Sequence, residues 1–147
     1  MIPLRLRSHA PALTLLVALT VTAGSVGIPA VRATTQDDGW QIGDDALELR
    51  SPIAAGAAEV ARGGAVYRSK CQRCHGRGGR GNGPDAEPDD PPGDLTDSRR
   101  ATRNPDGVLF YKIWNGRRNP RMPAFKTEIS RDEVWVVVAY IKTLRVP

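Results

Sequence analysis

The sequence predicts an all-α fold for the part of the chain that follows residue 53. Two observations support this prediction. Residues that favour helix starts precede three segments, and apolar side chains recur within those segments at helical spacing. The helices are expected to be short, three to five in number, because stretches of glycine, proline and charged residues separate the apolar segments.

The first helix is expected to begin at Ser51 and Pro52, a pair typical of a helix N-cap and first turn. One face of this helix then carries Gly64 and Tyr67. Gly63 and Gly64 each lower helix stability by ~1 kcal/mol relative to alanine. Two adjacent glycines in a helix therefore suggest that another helix crosses closely at this point.

The second helix is expected to start at Asn104 to Asp106 and to end at Gly116, because glycine readily adopts the left-handed conformation that terminates helices. Its apolar stripe consists of Leu109, Phe110, Ile113 and Trp114.

The third helix is predicted from the capping-box sequence formed by Ser130 and Glu133. The valine-rich run that follows also suits a buried strand, but the capping signal and the length of the run favour a helix. Lys142 and Arg145 lie where positive charge stabilises a helix C-terminus. Apolar residues at helical spacing are Val134, Val137, Val138 and Ile141.

The segment 76–103, between the first two helices, contains Leu95 as its single large aliphatic residue. Glycine, proline and charged residues make up most of the rest. An irregular segment of this length inside a compact domain usually has a function. We expect it to wrap around a bound apolar group that replaces the missing side-chain core.

The N-terminus has the pattern of a secretory signal peptide, which we assign to residues 1–33. Arg5 and Arg7 precede an apolar run, and small residues end at Ala33. An uncleaved membrane anchor is the alternative, since the run approaches the ~20 residues that span a bilayer. We therefore expect an exported, periplasmic protein, which contacts the membrane only if this segment is retained.

Loss of residues 1–33 would remove three arginines and lower the formal net charge from +5 to +2. The remaining chain has no basic stripe with interleaved aromatic residues, so a nucleic-acid partner is not expected. Residues 34–53 are predicted to be a flexible, solvated acidic extension. Residues 54–147 are predicted to form the folded domain.

The motif Cys71-Gln-Arg-Cys74-His75 is compatible with several chemistries. Without residues 1–33 the chain has three Cys and His residues, so a zinc site would need a carboxylate as its fourth ligand. A redox dithiol normally lies in an alternation of strands and helices, which is missing around Cys71. A plain disulfide would leave His75 without a role. Haem attachment uses all three residues, since two thioether bonds fix the porphyrin and the histidine ligates iron.

Residues 54–144 resemble a class I c-type cytochrome, a small monohaem electron carrier. In "GGAVYRSKCQRCHG", Gly63 and Tyr67 match the positions that pack against the C-terminal helix, where "AYIK" supplies Tyr140. The resemblance implies a cytochrome c fold, with short helices around one haem c covalently attached through Cys71 and Cys74. It also implies that the N-terminal and C-terminal helices pack crosswise.

The resemblance also implies the remaining ligands. "RMPAF" is similar to the loop whose methionine is the second axial ligand, which implies that His75 and Met122 hold the iron. No second histidine remains after residue 33 to compete for this role. Pro84, in "GNGP", matches the proline whose carbonyl accepts a hydrogen bond from the ligand histidine.

The function implied by this resemblance is one-electron outer-sphere transfer in the periplasm by a carrier that is not an enzyme. Two alternatives remain. The chain could be the haem c subunit of a larger membrane or periplasmic oxidoreductase complex, or a haem-based ligand sensor in which Met122 dissociates.

Charge distribution suggests how redox partners, a donor and an acceptor, would dock. Basic residues lie in the two segments expected at the haem edge, and acidic residues lie in the loop between them. We expect the basic face to bind an acidic patch on a redox partner, although these charges could simply aid solubility. The basic residues are Arg73, Arg77, Arg80, Arg117, Arg118 and Arg121, and the acidic ones are Asp85, Glu87, Asp89, Asp90, Asp94 and Asp97.

Overall fold

The computed structural model describes residues 39–119 and 121–145. The predicted signal peptide and residues 34–38 of the acidic extension lie outside this part. Within it, the elements are helices with one isolated β-bridge, which confirms the all-α prediction. None of these helices is long and apolar enough to span a membrane. The helices are α1 (Ala57–Lys70), α2 (Gln72–His75), α3 (Ser98–Arg103), α4 (Asp106–Asn115) and α5 (Arg131–Thr143).

Helices α1 and α5 pack closely at the glycine pair of α1. A Cβ atom on Gly63 would collide with the carbonyl oxygen of Val136, and one on Gly64 would lie 3.0 Å from the ring of Tyr140. The rings of Tyr67 and Tyr140 are in contact, with centroids 5.1 Å apart. The predicted contact between the N-terminal and C-terminal helices is therefore confirmed, and the glycines allow the backbones to approach.

Helix α5 begins with the predicted capping box. The Ser130 hydroxyl accepts a hydrogen bond from the Glu133 amide at 3.2 Å, and the Glu133 carboxylate accepts one from the Ser130 amide at 2.8 Å. Residues 134–138 are all buried, because α5 contacts both α1 and α4. Burial on two sides explains why the apolar run is longer than one helical stripe requires.

Helix α4 ends as predicted at Gly116, which has a φ of 61°. It begins at Asp106, with Pro105 as the N-cap, one residue later than the sequence suggested. Asn104 does not cap this helix with its side chain. Its amide instead donates to the Arg100 carbonyl at 2.7 Å and accepts from Lys112 at 2.8 Å.

Helix α1 begins at Ala57 with Gly56 as its N-cap, so the predicted start at Ser51 was wrong. The Ser51 hydroxyl donates to the Ile53 carbonyl at 3.0 Å and accepts from the Ile53 amide at 3.1 Å. This local turn competes with helix formation, as serine side chains often do.

Residues 40–49, which we call the N-terminal strap, pack along α4. Ala46 is buried, and the Tyr111 hydroxyl donates to the Asp45 carboxylate at 2.7 Å. The Asn115 side chain donates to the Gln41 carbonyl at 2.9 Å. This part of the predicted acidic extension is therefore not a solvated tail, because its backbone and small side chains fit against a helix.

We predict that Gly63→Ala lowers the free energy of unfolding by about 1–3 kcal/mol, the usual cost of overpacking a close contact. The added methyl group would have to displace the backbone of α5 at Val136. The measurement is the urea unfolding midpoint followed by helical circular dichroism. Gly78→Ala is the matched control, because a Cβ atom there meets nothing within 4 Å. Equal midpoints for the two variants would contradict a close α1–α5 contact.

Candidate haem site

The Cys-x-x-Cys-His motif forms one helical turn after α1. The Cys71 amide donates to the Tyr67 carbonyl at 2.9 Å, which joins the turn to α1. The amides of Cys74 and His75 both donate to the Cys71 carbonyl, at 3.2 and 2.9 Å. Both cysteines are half-buried free thiols. The turn thus holds two thiols and an imidazole in a fixed relation to one another.

The glycine-rich loop after this turn satisfies the carbonyl groups of α2. The amides of Gly81, Gly83 and Asp85 donate to the carbonyls of His75, Cys74 and Arg73, at 2.9, 3.1 and 2.8 Å. A Cβ atom on Gly83 would collide with the Arg73 carbonyl. The glycines of this segment, which has few apolar side chains, let its backbone run directly against α2.

Tyr67 fixes the residue that follows the histidine. Its hydroxyl donates to the Gly76 carbonyl at 2.8 Å in a buried hydrogen bond. Burial raises the pKa of Tyr67 well above its usual value, with smaller contributions from Cys71 and Tyr140. The hydroxyl therefore stays protonated and remains a donor.

Met122 is positioned by a short antiparallel bridge to Arg117. The Arg117 amide donates to the Met122 carbonyl at 2.9 Å, and the Met122 amide donates to the Arg117 carbonyl at 3.0 Å. Gly116 lies beneath this bridge, where a Cβ atom would collide with the Met122 carbonyl. The loop is then fastened to α4 by the Phe125 amide, which donates to the Ile113 carbonyl at 3.1 Å.

Two cavities, of about 920 and 660 Å³ including their open mouths, have His75 and Met122 on their walls. Cys71 lines both cavities and Cys74 lines the second. The structure thus brings together four of the five predicted site residues on the walls of these two cavities. Apolar walls come from Tyr67, Leu95, Leu109, Ile113, Phe125 and Ile141.

Pro84, the fifth predicted residue, is exposed and lines neither cavity. The backbone group next to His75 belongs instead to Gly93, which lines both cavities. Burial lowers the pKa of His75, and the Gly93 backbone opposes this effect. Gly93 is thus a further candidate for the backbone contact with His75 that the sequence resemblance implied for Pro84.

The side chains around the cavities suit a haem. The Nδ1 atom of His75 is buried without a hydrogen bond of good geometry, and an unsatisfied buried polar atom of this kind is expected where a bound group is missing. Burial, with help from Cys74, raises the pKa of Cys71 to about 12. A redox dithiol needs the opposite, a lowered thiol pKa. Among residues 39–119 and 121–145, no three Cys, His, Asp or Glu side chains cluster as metal ligands.

Basic residues lie on the cavity walls and near them. Arg117 lines both cavities and Arg121 lines the second. Arg73 is bound by the Asp85 carboxylate through two hydrogen bonds, at 2.6 and 2.9 Å. The predicted basic and acidic segments thus touch at this pair. The sequence analysis did not predict the further cationic lining residues, Arg100, Lys112 and Arg145.

A helical domain that presents Cys-x-x-Cys-His and a methionine on one apolar cavity has the architecture of a c-type cytochrome. Comparison with known families agrees with this architecture. The chain belongs to the family described as cytochrome c oxidase, cbb3-type, subunit III, whose model matches residues 58–141. Haem c is the cofactor that this family implies, and electron transfer is its general chemistry.

A chain of the reducing HAO-like protein complex of Kuenenia stuttgartiensis has a similar structure, with a TM-score of 0.55 and 28% sequence identity. The match covers 69% of the present chain and 55% of that chain, so the present chain spans about half the length of this relative. A search of curated proteins found no match.

Tyr67→Phe is predicted to lower the free energy of unfolding by about 1–2 kcal/mol, because it leaves the buried Gly76 carbonyl without its donor. Denaturant unfolding of the purified protein measures this. The matched control is Tyr140→Phe, which removes the same atom from a hydroxyl that has no hydrogen bond with the described residues. If both variants lose the same stability, the Tyr67 hydroxyl does not fix the attachment turn.

Proposed function

We propose that the chain transfers single electrons through one haem c, attached to Cys71 and Cys74, with His75 and Met122 as axial ligands. The observation that supports this most directly is the pair of cavities that have both predicted ligands on their walls. When bound, the haem supplies an iron that changes its charge by one electron.

The two ligand residues are held by backbone hydrogen bonds from different parts of the chain. His75 is held by the glycine-rich loop, and Met122 by its bridge to Arg117. Ligands that stay in place in both oxidation states keep the structural change on electron transfer small. The thioether of Met122 also favours a higher reduction potential, as methionine ligation does in general. These properties suit an electron carrier, in which no bond to a substrate forms or breaks.

We infer that residues 1–33 direct export to the periplasm and are removed there. Their charge and apolar pattern support this. Attachment of haem uses both thiols. After residue 33 no cysteine then stays free to form a disulfide in an oxidising compartment.

The optical spectrum tests the ligand assignment. We expect low-spin covalent haem, with the weak long-wavelength band that reports methionine sulfur on ferric iron. Met122→His should abolish that band and lower the reduction potential markedly, because imidazole replaces the thioether. The reduced wild-type protein should not bind carbon monoxide, whereas Met122→Ala should bind it. An unchanged potential in Met122→His would overturn the assignment, and carbon monoxide binding by the wild type would favour the ligand sensor.

A second candidate is that the chain works as a fixed haem subunit of a larger redox complex. The matched family is described as an oxidase subunit, and the structural relative belongs to a protein complex. The basic residues around Met122 would then face a permanent partner instead of a transient one. In either case an acidic surface on the partner would complement Arg117, Arg118 and Arg121.

Affinity purification of the tagged full chain at two ionic strengths separates the candidates. A carrier that docks by charge should lose its partners at high salt, because exposed charges are screened within a Debye length of ~8 Å at physiological salt and less above it. A fixed subunit should keep them at constant stoichiometry. Partners that stay bound to the same extent at both salt concentrations would contradict the transient carrier. The double variant Arg118→Ala, Arg121→Ala removes two of the proposed docking charges, so it tests whether partner binding depends on them.

A further inference from the structure

Trp40 lies in the N-terminal strap, outside residues 58–141 that the family model matches, yet it lines both cavities. The chain has three tryptophans, and the other two pack beside Phe110 between α4 and α5. Neither Trp114 nor Trp135 lines a cavity described above. The strap therefore brings a large aromatic side chain to a site that the family domain surrounds with its own residues.

Two cations hold the indole of Trp40 in place. Lys112 Nζ lies 4.8 Å and Arg117 Cζ lies 4.5 Å from the ring centroid, both within the range of cation–π contacts. Arg117 also lines both cavities, and Lys112 lines the first. Because Arg117 forms the backbone bridge to Met122, the indole is joined through one residue to the loop that carries the predicted second ligand.

The other residues of the strap fix the position of Trp40 through their contacts with α4. Asp45 and Gln41 are hydrogen-bonded to side chains of α4, as described above. Gly43 lies against the ring of Tyr111, where a Cβ atom would be 2.6 Å from the hydroxyl oxygen. Gly107 of α4 leaves room for the Ala46 carbonyl, with which a Cβ atom would collide. Contacts along the whole strap thus keep Trp40 on the cavity walls.

We propose that Trp40 is a cofactor-contacting residue, whose indole covers part of the bound haem and excludes water from it. This inference rests on the proposed binding of haem in these cavities. Excluding water disfavours the oxidised iron, which carries the greater charge, so the indole raises the reduction potential. The strap would then tune the potential of this chain independently of its axial ligands.

Proton NMR of the reduced holoprotein provides the direct test. An indole packed against a porphyrin has ring-proton resonances displaced by the ring current and shows nuclear Overhauser effects to haem protons. Sequence-specific assignment of the isotope-labelled wild-type protein identifies which tryptophan resonances belong to Trp40. This measurement uses the unmodified full chain, so it decides the question even if a substitution impairs folding.

Potentiometry of three variants provides the second readout. Trp40→Ala should lower the midpoint potential, and Trp40→Phe should retain most of the wild-type value because it keeps an aromatic cover. Leu47→Ala is the matched control in the strap, since that side chain is 57% exposed and lines neither cavity. A strap that only stabilises α4 would change the unfolding midpoint but not the potential.

The outcomes separate this inference from the proposed function. A wild-type protein without covalent haem would overturn both. Covalent haem with unshifted Trp40 resonances, and with equal potentials in the wild type and Trp40→Ala, would overturn the strap inference and leave electron transfer standing. Shifted resonances together with a lowered potential in Trp40→Ala would support the contact.

Discussion

The site depends on the hydrogen bonds between α2 and the loop that follows it. A helix of four residues cannot satisfy its own last carbonyls, and here three of them accept amides from residues 81, 83 and 85. The same bonds fix the orientation of the turn that bears His75. Leu95, whose amide donates to the Gly79 carbonyl at 2.7 Å, then anchors the loop at a cavity wall. A segment with almost no apolar side chains is thereby ordered through its backbone.

One wall of the cavities carries the attachment turn that follows α1, and a second wall is formed by α4 and the Met122 loop. Helix α5 connects the two walls. Helix α5 is buried against α1, which leads into the attachment turn, and against α4, which leads into the Met122 loop. The glycine contact at Gly63 and the stacking of Phe110 on Trp135, with centroids 4.5 Å apart, thus set the spacing of the walls. The packing of α5 against α1 and α4 therefore determines the distance between His75 and Met122.

Features set by neighbouring residues and the contact between α1 and α5 were predictable from the sequence, whereas the packing of the irregular segments was not. The capping box at Ser130 and the end of α4 at Gly116 depend on neighbouring residues, so the sequence located them. The contact of Gly93 with His75 depends on how an irregular loop folds back, so the local sequence did not indicate it. The acidic composition of the strap suggested a solvated tail, because its small residues and backbone groups carry no hydrophobic pattern. Its partner surface on α4 could be recognised only in three dimensions.

The distribution of charge around the cavities suggests why the N-terminal strap contacts this site and not another. Lys112 and Arg117 place two positive charges on a cavity wall, and like charges repel each other. The Trp40 ring interacts favourably with both cations and carries no charge of its own. An acidic side chain at this position would instead neutralise them and weaken any attraction for an acidic partner. Trp40 therefore stabilises Lys112 and Arg117 without neutralising them. This arrangement is compatible with both a covered cofactor and a basic docking face.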